Sequence, residues 1–258
     1  MASFSFLDPA FGFLLSWPPW LSILLVSIVI TFLTTLLYKY TTNQTEIKAL
    51  RDKQKKFNKE IREVSKKDPK KAMQLQKKGM DITMQLMRHS FNWKSMLYPL
   101  IPFLLIFGWF NAHYSYLPLT PNTPFDVTVL FNDGATGTIT LSTIPELQLQ
   151  NATQTIGNNA ASWQLQAPEG EYTLKFAYQG KDHTQQILIT DKPNYYEPKQ
   201  LISGEKIKSI TVGNMQLKPW SGTFIASIPL IGKANWFWTY VIFVFILSVF
   251  IRKLLNVA

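Results

Sequence analysis

Residues 43–94 read NQTEIKALRDKQKKFNKEIREVSKKDPKKAMQLQKKGMDITMQLMRHSFNWK. In the first half the apolar positions are Ile47, Leu50, Phe57, Ile61 and Val64, with Gln54 filling the one polar gap. These steps alternate three and four, the seam of a coiled coil. Asp68-Pro69 then predicts a stop, because the residue before a proline is pushed out of helical geometry. A second seam follows at Ala72, Leu75, Gly79, Ile82 and Leu86. Two helices of similar length, broken once and apolar along one face, predict an antiparallel hairpin. Residues 39–94 hold 16 Lys and Arg against six Asp and Glu, which accounts for the whole formal charge of +10. The segment is a positively charged arm.

Apolar runs flank it. Residues 20–37, 95–116 and 234–251 contain no Asp, Glu, Lys or Arg. A helix crosses the hydrocarbon core in roughly 20 residues, or as few as about 17. Each run is therefore read as a transmembrane helix. The expected domains are an interfacial lead-in (1–19), helix one (20–38), the arm (43–94), helix two (95–114), a β-sandwich (117–232), helix three (234–251) and a tail (252–258). Arg252 and Lys253 follow helix three, and no Lys or Arg precedes helix one. The positive-inside rule then places the arm and the C-terminus in the cytoplasm, and the N-terminus and residues 117–232 outside.

The lead-in carries Phe4, Phe6, Phe11, Phe13 and Trp17, with Asp8 as its one charged side chain. It lacks the basic start and small-residue cleavage site of a signal peptide. Two readings stand: an amphipathic element with Trp17 and Trp20 at headgroup level, or a loose terminus. In helix one, Ser27, Thr31, Thr34 and Tyr38 fall on one face, with Thr35 beside them. Hydroxyls at that spacing either bond back to their own helix and pack, or make a weakly hydrophilic wall within the membrane.

Met73, Met80, Met84, Met87 and Met96 put five of the seven methionines within residues 73–96. Methionine fills coiled-coil cores, and it also makes surfaces that adapt to many apolar shapes. The second seam is already supplied without it, so some Met should be left over. In helix two, Pro99 and Pro102 predict a kink or a delayed start. Trp109, Tyr114 and Tyr116 mark the outer aromatic belt, where His113 is expected to serve structure.

Residues 117–232 change period. Alternation over 125–131, 138–141, 146–150, 162–165, 171–178, 186–190 and 207–212, separated by turns such as Asn132-Asp-Gly134, predicts about seven strands. An immunoglobulin-like antiparallel sandwich is the expected fold. The region has one His and no defensible carboxylate cluster, and Asn151-Ala-Thr153 is a short glycosylation sequon. Cysteine is absent, which excludes disulfides, thiolate catalysis and Cys-ligated metal. No catalytic residue, metal site or cofactor is expected.

The layout, with KDPKKAM at 67–73, HSFNWKSM at 89–96, IPFLLIFGW at 101–109 and SVFIRKLL at 248–255, resembles the YidC/Oxa-type insertases. Within them it is most similar to the archaeal family related to the insertase subunit of the ER membrane complex. The resemblance covers about residues 17–118 and 235–258. It implies insertion of membrane proteins through a groove open to cytoplasm and lipid. The groove would be lined here by Ser27, Thr31, Thr34, Tyr38, Tyr98 and Ser248. It implies nascent membrane proteins as clients, received on Met73, Met80, Met84 and Met87. Lys55, Lys56, Lys59, Lys66, Lys67, Lys70, Lys71, Lys77 and Lys78 would meet ribosomal RNA or anionic lipid, and other translocation subunits are possible partners. Bacterial members place an arginine in the groove, and no span here holds a charge. Two other functions compete: a membrane-anchored surface protein acting through its sandwich, and a ribosome- or lipid-docking scaffold acting through its arm.

Overall fold

A computed structural model describes residues 5–65, 68–90, 93–149 and 151–257. The chain divides into two compact units, Met1–Ser22 with Ile106–Thr239, and Ile23–Leu105 with Tyr240–Ala258. The helices are α1 (Asp8–Phe11), α2 (Pro19–Thr41), α3 (Gln44–Val64), α4 (Pro69–Ser90), α5 (Trp93–Tyr114) and α6 (Trp236–Leu254). By length and composition, Pro19–Thr41 and Trp236–Leu254 are able to cross a membrane.

In the second unit, α3 and α4 form the hairpin. Asn43 caps α3: its Oδ1 accepts from the Glu46 N–H at 3.3 Å, while its amide donates to the Glu46 carboxylate at 3.2 Å. Ile47 and Leu50 are buried, and Phe57, Ile61 and Val64 are half-buried. Ala72, Leu75, Gly79, Ile82 and Leu86 are half-buried on α4, so both predicted seams face inward. The polar gap is filled as well. Gln54 donates to the Thr83 hydroxyl at 3.0 Å, and Thr83 donates to the Gly79 carbonyl at 3.0 Å. The break falls where Asp68-Pro69 predicts it, and Pro69 itself opens α4, because the first helical position has no N–H bond to lose. Helix α3 has already ended at Val64.

Helix α5 departs from expectation. It begins at Trp93, and its backbone stays helical through Pro99 and Pro102. Each proline removes one backbone donor without delaying the helix.

In the first unit, two four-stranded antiparallel sheets pack face to face. The strands are β1 (Phe125–Phe131), β2 (Thr138–Ile144), β3 (Thr153–Thr155), β4 (Ala160–Leu165), β5 (Gly170–Tyr178), β6 (Lys181–Ile189), β7 (Lys199–Leu201) and β8 (Ile207–Val212). Their orders are β4-β1-β8-β7 and β3-β2-β5-β6. Val127, Val129, Ile210 and Trp163 from one sheet share a core with Leu141, Leu174, Phe176 and Ile187 from the other. Trp163 meets Phe176 across it with ring centroids 5.7 Å apart.

The sandwich stands, but its order is not that of an immunoglobulin domain. The first two strands lie in different sheets, and β1 sits between β4 and the last long strand. Residues 146–149 form no strand. Pro145 removes a ladder donor, and the Leu147 N–H is taken by the Thr143 hydroxyl at 2.8 Å. Leu147 and Leu149 instead pack on the core from a loop. Residue 150, the end of that predicted strand, lies outside the described residues.

A polar knot ties the sandwich to the adjoining helix ends of the same unit. The Tyr195 hydroxyl donates to the Asn111 carbonyl at 2.8 Å and accepts the N–H groups of Ser115 and Tyr116 at 3.0 and 3.2 Å. The Trp236 indole N–H donates to Ser115 Oγ at 3.0 Å.

Two predictions follow from this packing. A Cβ built on Gly79 meets only Ile61 Cδ1, at an ordinary 3.7 Å. Gly79→Ala should therefore stabilise the hairpin by about 0.5–1 kcal/mol through helix propensity. Thermal unfolding followed by far-UV dichroism checks this, and a lower midpoint would contradict it. Burial pushes the Tyr195 phenol up to about 12 from 10.0. The folded state thus keeps its proton where the unfolded chain loses it. The stabilisation is complete below pH 10 and is lost as pH rises through about 12. Tyr195→Phe should flatten this alkaline loss in a urea titration across that window, while lowering stability at pH 7.

Candidate functional site

The candidate site has two parts, both in the second unit: the outer faces of the arm and the hydroxyl face of α2. On α4 the seam takes one side of the cylinder. Met73, Met80, Met84 and Met87 recur at i, i+7, i+11 and i+14, on a neighbouring stripe. All four are exposed, each by more than half its surface. None of the four is spent on the coiled-coil core, so α4 carries an apolar face left exposed among the described residues. Met96 lies where side chains are outside the described residues.

The described lysines of the arm are exposed as well. Lys55, Lys56 and Lys59 on α3, and Lys70, Lys77 and Lys78 on α4, are exposed. Lys55 is loosely paired with Asp52 at 3.8 Å, a contact worth little in water. Lys66 and Lys67 lie outside the described residues, as does the side chain of Lys71.

The hydroxyl face of α2 is resolved into individual roles. Ser27, Thr31 and Thr35 are buried, and Thr34 and Tyr38 are half-buried. The Ser27, Thr34 and Thr35 hydroxyls donate to the carbonyls of Ile23, Ile30 and Thr31 at 2.7, 2.8 and 2.6 Å. These hydroxyls satisfy themselves on their own helix. Thr31 is different, since its hydroxyl is buried and has no hydrogen-bond partner among the described residues.

Tyr38 and Ser248 are drawn into other contacts. The Arg252 guanidinium lies over the Tyr38 ring, 5.8 Å from its centroid. Lys39 donates to the Leu255 carbonyl at 2.8 Å, so the basic ends of α2 and α6 lie side by side. Ser248 donates to the Phe245 carbonyl at 2.9 Å on α6. The Tyr98 side chain lies outside the described residues. The structure therefore brings Ser27, Thr31 and Thr34 onto one face and places Ser248 on another helix.

Sequence reasoning missed a second polar cluster, in the first unit. The Asp8 carboxylate accepts the Trp109 indole N–H at 2.8 Å and lies 3.2 Å from His113 Nε2. The Leu14 carbonyl accepts the hydroxyls of Ser22 and Tyr114 at 2.8 and 2.9 Å. Of the two readings of the lead-in, this excludes a loose terminus for residues 8–14. Asp8 being its one charge was the available signal.

The far end of the sandwich holds a cleft of about 440 Å³ lined by Asn132, Tyr178, Lys181, His183, Glu205 and Lys206. Glu205 is held there by Lys181 at 3.3 Å and His183 at 3.0 Å.

The described parts are two helices apolar and long enough to cross a membrane, a basic helical hairpin and a two-sheet β-domain. The model of the family described as integral membrane protein EMC3/TMCO1-like matches residues 5–141, and the chain belongs to that family. The family is related to the YidC/Oxa-type insertases. The match takes in the lead-in, α2, the hairpin, α5 and the start of the sandwich, and α6 lies beyond it. No curated protein matches the chain, and no solved structure does.

The unpartnered Thr31 hydroxyl yields a prediction. A buried hydroxyl without a partner costs about 1–3 kcal/mol. Thr31→Val keeps the shape and should raise the unfolding midpoint in detergent, whereas Thr35→Val should not. Equal effects of the two would place water or another partner on Thr31.

Proposed function

We propose that this chain is a membrane protein insertase or chaperone, without enzymatic activity, that passes hydrophobic client segments from its arm into the bilayer. In this reading α2, α5 and α6 are three transmembrane helices. The arm and C-terminus lie in the cytoplasm, and the sandwich lies outside. The orientation rests on charge: the basic ends of α2 and α6 adjoin, and residues 39–94 account for the whole formal net charge.

The observation that carries the proposal is the exposed Met73–Met80–Met84–Met87 stripe. A helix pair with a complete seam has no need of a second apolar face, and leaving one in water is costly. A flexible, polarizable face suits client segments of differing shape. Lysines around it would hold the arm near ribosomal RNA or anionic headgroups. The Thr31 hydroxyl is buried and has no partner among the described residues, and in this reading opening of the α2 face would offer it to a client's polar terminus or to water. One such group lowers the barrier, because an unsatisfied polar group in hydrocarbon costs several kcal/mol.

Photo-crosslinking during translation of a short single-span substrate tests the reading, with probes at Met84, Thr31 and the exposed apolar Leu33. Adducts at Met84 and Thr31 but not Leu33 are expected, and absence of adducts at both would reject it. Met80→Glu with Met84→Glu should cut insertion several-fold while leaving the helical signal intact. A second reading, a surface protein acting through the sandwich, draws on the cleft around Glu205. It would gain if Glu205→Gln abolished function while the methionine variants did not.

A further inference from the structure

The stretch between β8 and α6 has no part in the arm, the hydroxyl face or the cleft. Residues 219–232, PWSGTFIASIPLIG, contain no charged side chain, and Lys218 and Lys233 bracket them. Phe224 is 83% exposed and Leu230 89%, and Ile228 is exposed beside them. Leu230 holds a φ of 70°, a left-handed conformation that a leucine adopts at a cost. In water that conformation displays a large apolar side chain to no benefit.

Several backbone N–H groups of this loop are nevertheless paired within it. Thr223 N–H donates to Trp220 O at 3.0 Å, Ala226 to Thr223 at 3.1 Å and Ile228 to Ile225 at 3.0 Å. Gly232 N–H returns to Ile228 O at 2.9 Å, and Ala234 N–H to Ile231 O at 3.0 Å. The loop closes so tightly that a Cβ on Gly232 would lie 2.2 Å from Ala226 O. Internally paired backbone beneath exposed apolar side chains is what a segment needs in order to leave water.

We infer that this loop inserts into the interfacial layer of the bilayer, on the face from which the sandwich projects. Its partner is lipid: acyl chains around Phe224, Ile228 and Leu230, and phosphates at Lys218 and Lys233. Leu230 is six residues from Trp236, where α6 begins, so it lies within about 20 Å of that helix start. The helix opens with Trp236, Phe237 and Trp238, the residue types that sit at headgroup level. The loop is thus tethered at the depth where its side chains would be solvated. It would set the height of the sandwich above the membrane, a role the insertase reading does not supply.

The chain has no cysteine, so single-Cys variants of the whole chain carry one label each. Bimane would be placed at F224C and L230C, with T138C as a control on the sandwich and F245C as a control on α6. The proteins are reconstituted into phosphatidylcholine–phosphatidylglycerol vesicles with lipids brominated at the shallow end of the acyl chain. The inference expects F224C and L230C to lose fluorescence about as fully as F245C, and T138C to lose none. Iodide should quench T138C alone. If iodide quenches the two loop positions and brominated lipid does not, the loop stands in water and the inference fails. If neither quencher reaches them, a protein surface covers the loop, and the inference fails equally. The F245C control reads the placement of α6 separately, so neither result bears on client transfer.

Discussion

A polar atom carried into hydrocarbon must find its partner within the protein, and much of this structure answers that one constraint. On α2 the hydroxyls of Ser27, Thr34 and Thr35 fold back onto their own helix. Where α2 and α5 meet the lead-in, Asp8 takes the Trp109 indole and approaches His113, and Leu14 takes two hydroxyls. In the loop before α6, several backbone N–H groups likewise find carbonyls within the loop. Against that background an unpartnered Thr31 hydroxyl is informative, because its neighbours on the same face show how easily it could have been satisfied.

The arm solves a different problem, dividing one helix surface between two tasks. A seam of half-buried residues on α4 closes against α3, and the Gln54–Thr83 hydrogen bond sits within it. A polar pair within an apolar seam is specific about register, since sliding either helix would leave both groups unpaired. With register held there, the methionine stripe is free of any packing duty. The chain's family is related to the YidC/Oxa-type insertases, and the division of the α4 surface is read in that context.

The sandwich is joined to its neighbouring helix ends by directional contacts. Tyr195 collects three bonds from the last turn of α5 and the residues after it, and Trp236 adds a fourth through Ser115. Hydrogen bonds of this kind fix an orientation where apolar contact alone would permit sliding. The matched family residues end within the second strand, so most of the sandwich lies beyond the matched region.

What could be read from residues alone was whatever local periodicity controls. The hairpin seams, the apolar helices, β1 over Phe125–Phe131 and β8 over Ile207–Val212 are written in steps of three to four or of two. Burial of those faces then follows from hydrophobicity. Tertiary structure decided whatever depends on a partner distant in sequence. The alternation of Leu147 and Leu149 looked like a strand, yet Thr143 took the Leu147 N–H and left a loop. The three residues of β7 have no pattern of their own and exist because β8 offers an edge. Which hydroxyl on α2 stays unsatisfied, which methionines stay outside the seam, and what Asp8 meets 101 residues away were likewise settled by packing. Hydrogen bonds and seams are completed by the other half of each pair, and spacing along one segment does not contain that half.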